Sequence, residues 1–115
     1  MLIKQLLKKI ENATGLNVYL LQTEKIEDCI IYTITSNSDN GAVAYKTLEL
    51  RIISKTMEKA EEYRKKIFEL ITIGDEPLMD GILSFEVNGG GLLFDNDTET
   101  IHTIVDFELI MRSEK

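Results

Sequence analysis

The chain is poor in the residues on which most small catalytic and metal centres depend: among 115 residues there is one cysteine, one histidine and one proline. A single cysteine, Cys29, excludes an intrachain disulfide and fits a reducing compartment. Cys29 opens the strand-like run CIIYTI, where a buried small hydrophobe is expected. Nothing beside it in sequence would lower a thiol pKa enough to make a nucleophile. A single histidine, His102, excludes a His-based metal cluster within one chain and reads as an ordinary strand residue. Long apolar runs are also missing, and none approaches the ~18–20 residues of a membrane span. The start, MLIKQLLKKIENATG, interleaves lysines with apolar residues and lacks the separate apolar block of a secretory signal. Basic charge is the last shortage. Lys and Arg number 13 against 20 Asp and Glu, a formal net charge of −7, which argues against nucleic-acid binding through phosphate neutralisation.

What is present is an ordinary globular composition, 43% apolar and 29% charged. The length suits one domain spanning residues 1–115. Leu2, Ile3, Leu6, Leu7 and Ile10 recur at helical spacing, and Gly15 stands where a helix needs a left-handed terminating residue. A short strand begins within Asn17 to Gln22. Cys29 to Ser36 and Ala42 to Ile53 alternate apolar and polar residues, with Ile30, Tyr32, Ile34 and Leu48, Leu50, Ile52 on one face each. Between them Asn37-Ser38-Asp39-Asn40-Gly41 is turn chemistry, so a long hairpin is expected. Ser54 and Thr56 are N-cap candidates for a second helix that presents Met57, Ala60, Tyr63, Ile67, Leu70 and Ile71 on one face. Gly74-Asp75-Glu76-Pro77 stops it.

Leu78 to Val87 reads as a strand with Met79, Leu83, Phe85 and Val87 at period two, broken by Asn88-Gly89-Gly90-Gly91. Leu92 to Phe94 is a short run, Asp95-Asn96-Asp97 turns, and Glu99 to Arg112 is the longest strand signal. There Ile101, Thr103, Val105, Phe107, Leu109 and Met111 share one face. The predicted fold is α+β, in the order α-β-β-β-α-β-β-β. It is a mostly antiparallel sheet with two helices packed on one face, and no βαβ crossover is required.

Gly89-Gly90-Gly91 matches neither phosphate-binding glycine motif and precedes a strand rather than a helix. Asp95, Asp97, Glu99 and Asp106 fall at calcium-loop spacing, but Thr100 stands where glycine is needed and residues 100–111 read as strand. Asp106 and Glu108 share a strand face with Arg112, and no apolar context raises a carboxylate pKa. No catalytic, cofactor-binding or metal-ligating constellation emerges, so neither an enzyme nor a cofactor is expected. The charges divide unevenly. Acidic residues gather in loop segments, and basic ones lie on the helices as Lys4, Lys8, Lys9, Lys59, Arg64, Lys65 and Lys66. Solvated faces explain this, and so does polar docking between copies or with a partner.

An N-terminal helix closed by Thr14-Gly15-Leu16 is followed by the Asn17-Val18-Tyr19-Leu20 strand and the Ile30-to-Ile34 strand. The LELRII strand then leads directly into the Met57-to-Ile71 helix, and Thr103-Ile104-Val105-Asp106-Phe107-Glu108-Leu109 closes the chain. In this order of features the whole chain resembles the tail terminator or tail completion proteins, also labelled minor capsid proteins, of long-tailed bacteriophages. That family often carries prolines between its first two strands; here Thr23 to Asp28 holds none. No functional residue carries over one by one. The resemblance implies a phage or prophage structural protein, assembled in the bacterial host cytoplasm and residing in the virion tail. It implies a homo-oligomeric ring, usually of six subunits, that caps the tail tube protein and joins it to the head-tail connector protein. Neither specific nucleic-acid binding nor a membrane is implied. The segment expected to order at the assembly interface is Ser36, Asn37, Ser38, Asp39 and Asn40, which read equally as a plain hairpin turn. The alternative class is a small binding or regulatory module whose sheet grips a peptide or metabolite in a concave pocket.

Overall fold

The computed structural model describes residues 2–20, 28–72 and 81–113. Helix α1, Leu2–Thr14, forms because its apolar residues share one face: Ile3, Leu6, Leu7 and Ile10 are all buried, while Lys4, Lys8 and Lys9 face outward. Burying each aliphatic side chain of this kind is worth about 1.5–3 kcal/mol, far more than any surface contact the helix makes. The helix ends at Gly15, whose φ of +76° only glycine adopts freely and whose N–H donates to the Glu11 carbonyl at 2.8 Å. Thr14 Oγ1 donates to the Ile10 carbonyl at 2.8 Å and accepts from the Leu16 N–H at 3.2 Å. The Glu11 carboxylate accepts from the Val18 N–H at 3.1 Å, fixing the helix to the first strand.

Strands β1 (Val18–Leu20), β2 (Cys29–Asp39), β3 (Val43–Ser54), β4 (Ile82–Asp95) and β5 (Thr100–Arg112) form one sheet in the order β1-β2-β3-β5-β4. β1 runs parallel to β2, and the remaining neighbours are antiparallel. Helix α2, Met57–Thr72, is capped by Thr56, whose Oγ1 accepts from the Lys59 N–H at 3.2 Å. Both helices cover one face of the sheet. Ile30, Leu48, Leu50, Ile52, Val105, Phe107, Leu109 and Met111 meet Ile3, Leu6, Leu7, Ile10 and Ile67 in one core. Phe107, fully buried, lies 6.4 Å from the Phe68 ring at a tilt of 51°. Tyr63 donates its O–H to the Asp28 carboxylate at 3.1 Å, holding α2 to the approach of β2.

The α+β class, the two helices on one face and the predicted core faces of β2, β3 and β5 are as the sequence led one to expect. Four features differ. The Gly89-Gly90-Gly91 run does not break a strand: β4 continues through it to Asp95, so the order is α-β-β-β-α-β-β, with five strands in place of six. The ladder shifts register between Ile82 and Ser84 and between Val87 and Gly89, absorbing the irregularity as bulges. Gly90 has φ +153°, and a β-carbon there would collide with the Ile104 carbonyl oxygen. The glycine permits the close strand approach and does not end it. The Ser36–Asn40 segment is also mostly strand. β2 runs to Asp39, with a bulge between Ser36 and Ser38, because backbone pairing with β3 does not depend on side-chain polarity.

Third, a crossover is present after all. β3 and β4 run in the same direction, joined through α2, and β5 is inserted between them as in a split βαβ unit. The fourth difference is Met57. It is exposed although it shares the apolar stripe of α2, because it is the helix's first residue and the buried face begins one turn later at Ala60. The predicted strand residues Leu21, Gln22, Leu78 and Met79, the acidic residues Glu24, Glu27, Asp75, Glu76 and Asp80, and the stop at Pro77 lie outside the described residues.

Candidate functional site

The hairpin tip predicted to take part in assembly projects from the β2–β3 end of the sheet. Ser36, Asn37, Ser38 and Asn40 are exposed and Asp39 is half-buried. Their order is built in. Ser36 pairs with Lys46, Ser38 with Tyr45 and Asp39 with Ala44, while the Asn37 side-chain amide donates to Thr47 Oγ1 at 2.9 Å. The turn is held by short side chains bonding local amides. Asp39 Oδ1 accepts from the Gly41 N–H at 2.8 Å, and Asn40 Oδ1 accepts from Ala42 and Val43 N–H groups at 2.9 and 2.8 Å. The five residues therefore form a hydrogen-bonded polar tongue.

Sequence reasoning did not single out the outer edge of β4. This strand is 14 residues long and lies at the end of the sheet, so among the described residues one row of its backbone groups has no partner strand. Leu83, Val87, Leu92, Leu93 and Phe94 on it are 60, 46, 50, 55 and 58% exposed. Val87, Leu92 and Phe94 pair with Phe107, Thr103 and Ile101, which places them on the helix-bearing face of the sheet, past the reach of the helices. Edge strands of this length are ordinarily blunted by lysine, proline, brevity or bulges, and β4 has only the last, before Gly90. The hint available in sequence was the composition of Leu92-Leu93-Phe94 on a strand flanked by glycine, apolar residues for which no covering element could be named.

Among the described residues the second face of the sheet carries no helix, although Cys29 and Ile31 at its β2 end are buried. Across its centre Glu49 of β3 stands directly opposite Asp106 of β5, and Glu108 of β5 directly opposite Glu86 of β4. Arg112 shares this face but lies further along β5, and Asp106 and Glu108 each have one acidic cross-strand neighbour, with Gly89 and Thr47 on their other sides. Like charges in directly opposed positions destabilise a pair of strands. At the far end of this face His102 sits opposite Ile53 and Leu93. His102 Nε2 is 3.1 Å from Thr100 Oγ1, itself 2.6 Å from Thr98 Oγ1, and 3.9 Å from Asp95 Oδ2. Burial and the Arg51 charge push the His102 pKa down, while Asp95 pulls the other way. Asp95 Oδ1 also accepts from the Asp97 N–H at 2.9 Å, so this carboxylate organises the β4–β5 turn. The spacing resembling a calcium loop is thus a turn followed by a strand. Among the described residues no group of three or more His, Cys, Asp or Glu side chains is placed to hold a metal ion. Cys29 is fully buried, on the strand where the sequence placed it.

No protein-family model matches the sequence, and no curated protein matches it. The fold is matched among solved structures. The chain is similar to one in the virion of a native gene transfer agent particle, with a TM-score of 0.63 over 90% of this chain and 84% of that one, at 12% identity. At that identity the two share a fold.

Proposed function

We propose that this protein is a structural subunit of a phage or phage-like particle. Within that role it acts as a tail terminator or tail completion protein, a ring of subunits that caps the tail tube and meets the head-tail connector. The observation that supports the reading is the likeness in fold, across 90% of the chain, to a component of a gene transfer agent virion. The order of elements quoted for the tail terminator resemblance supports the finer assignment. The surfaces suit it: a closed ring needs heterologous contacts, and the long β4 edge, unpaired among the described residues, and the polar Ser36–Asn40 tongue are two unlike patches on one subunit. The net charge of −7 suits a conduit that does not grip passing DNA.

The test is light scattering with negative-stain electron microscopy of the purified chain, across rising concentration, with and without tail tube protein. Closed rings with a central channel, alone or on tube ends, are expected. A stable dimer with a ligand-sized cavity and no affinity for tube ends would overturn the reading in favour of a binding module.

A further inference from the structure

The two broad faces of this molecule differ in charge. On the helix side, α1 presents Lys4, Lys8 and Lys9 outward, and its one acidic residue, Glu11, is half-buried and reaches Lys8 at 3.6 Å. On the open side of the sheet, Glu49, Asp106, Glu108 and Glu86 form one contiguous block on three neighbouring strands, bordered by Arg51. Among the described residues, none of these four carboxylates stands in an ion pair. The isolated subunit therefore places two pairs of carboxylates at directly opposed sheet positions, which a cationic surface from outside would complement.

We propose that the open face of the sheet is the docking surface for helix α1 of a second copy. The proposal rests on the assembly reading above and adds to it a contact distinct from the β4 edge and the Ser36–Asn40 tongue. Charge selects the occupant: α1 is the element with a lysine surplus on its exposed face, and the acidic block is the densest run of negative charge on a part of the sheet that no described element covers. Spacing agrees. Lys4 and Lys8 are four helical residues apart, ~6 Å along the axis, and Asp106 and Glu108 are two strand residues apart, ~6.8 Å. A helix lying along β5 thus sets each lysine over one carboxylate. Around the block, Tyr45, Ile104 and Ile110 occupy the same face and are exposed or half-exposed, giving the lysine stems apolar surface to lie on. The contact joins unlike surfaces, helix to sheet, so it propagates from copy to copy and closes into a ring when the rotation allows.

The experiment mixes isotopically light and heavy wild-type chains at low salt and high concentration, joins touching amines and carboxylates with a zero-length carbodiimide, and identifies mixed-isotope links by mass spectrometry. Links from Lys4, Lys8 or Lys9 to Glu49, Glu86, Asp106 or Glu108 are expected. Two charge-reversed chains give the second readout. K4E/K8E and E86K/E108K should each lose self-association by at least about tenfold, and an equimolar mixture should regain it because both of its contacts are again complementary. Rings without these links, or rings that both variants still form, would overturn the docking surface and leave the ring reading standing. The links in open stacks or pairs that never close, alone or on tube ends, would establish the contact and overturn the ring. No association of the wild type under these conditions would overturn the contact.

Discussion

Phe107 carries more of the core than any other single side chain. It is the largest fully buried residue, lies mid-strand opposite Leu48, and is in ring contact with Phe68 of α2, so it touches both layers. Phe107→Ala should lower unfolding free energy by ~3–5 kcal/mol, read as a reduced urea midpoint with little change in slope. The glycine run makes a sharper comparison. At Gly90 an added β-carbon meets the Ile104 carbonyl and the backbone is left-handed, whereas at Gly91 nothing lies within 4 Å. Gly90→Ala should therefore cost on the order of 2 kcal/mol, and Gly91→Ala should stay within about 0.5 kcal/mol. Equal effects would mean that the strand is not held against β5 at Gly90.

His102 has a pKa lowered in the folded state, chiefly by burial and then by Arg51, against the opposing pull of Asp95. A histidine whose folded pKa lies below its unfolded value binds more protons when unfolded. Its contribution is therefore undiminished above the unfolded pKa of about 6.5 and is lost as pH falls below that value towards the lowered one. Thermal midpoints should fall between about pH 7 and pH 5, and His102→Gln should flatten that part of the profile relative to wild type.

At the scale of elements, β4 is the strand whose role follows least from its sequence. Its pairing with β5 is extensive and its other edge is open among the described residues, so the solvent-facing apolar residues on it are available to a neighbouring molecule. Replacing Leu92 and Phe94 together by lysine should leave the unfolding midpoint nearly unchanged, because both side chains are already half-exposed. It should raise the concentration at which the protein self-associates or aggregates, measured by sedimentation. The contrast with the other strands shows why some of the fold was legible. β2, β3 and β5 bury one face under helices, so their alternation states directly which side is inside, and the Ile101-to-Met111 face emerged as read. α1 was legible to within a residue because its stripe and its terminating glycine agree. β4 was not, since Asn88 and three glycines look like a break whenever side chains alone are consulted, while the ladder is a backbone structure that glycine can extend. The crossover through α2 escaped for a related reason. Local spacing shows hairpins, but insertion of β5 between β3 and β4 is fixed by which strand pairings bury the most apolar surface across the whole sheet. The hairpin tip lay between these cases: its composition located the turn, but backbone pairing carried the strand three residues further than polarity suggested.

The whole molecule is a two-layer plate, and the distribution of charge between its layers matters more for assembly than the total. A formal charge of −7 by itself makes copies repel, and salt would then strengthen association by screening. Lysines outward on α1 and carboxylates outward on the open sheet face predict the opposite, because a docked pair brings unlike charges within a few ångströms while most of the remaining charge stays beyond a Debye length. The screening length shrinks from ~30 Å at 0.01 M salt to ~10 Å at 0.1 M, so long-range repulsion is removed early and short-range attraction later. Sedimentation across sodium chloride from about 0.02 M to about 0.5 M separates the two effects. Association that rises slightly and then falls is expected where the faces are complementary. A monotonic rise would mean that apolar contact along β4 drives assembly and that charge merely opposes it. The variants with lysine at residues 92 and 94 would then abolish assembly at every salt concentration, whereas in the complementary case the charge reversals on α1 and the open face would be the ones to do so.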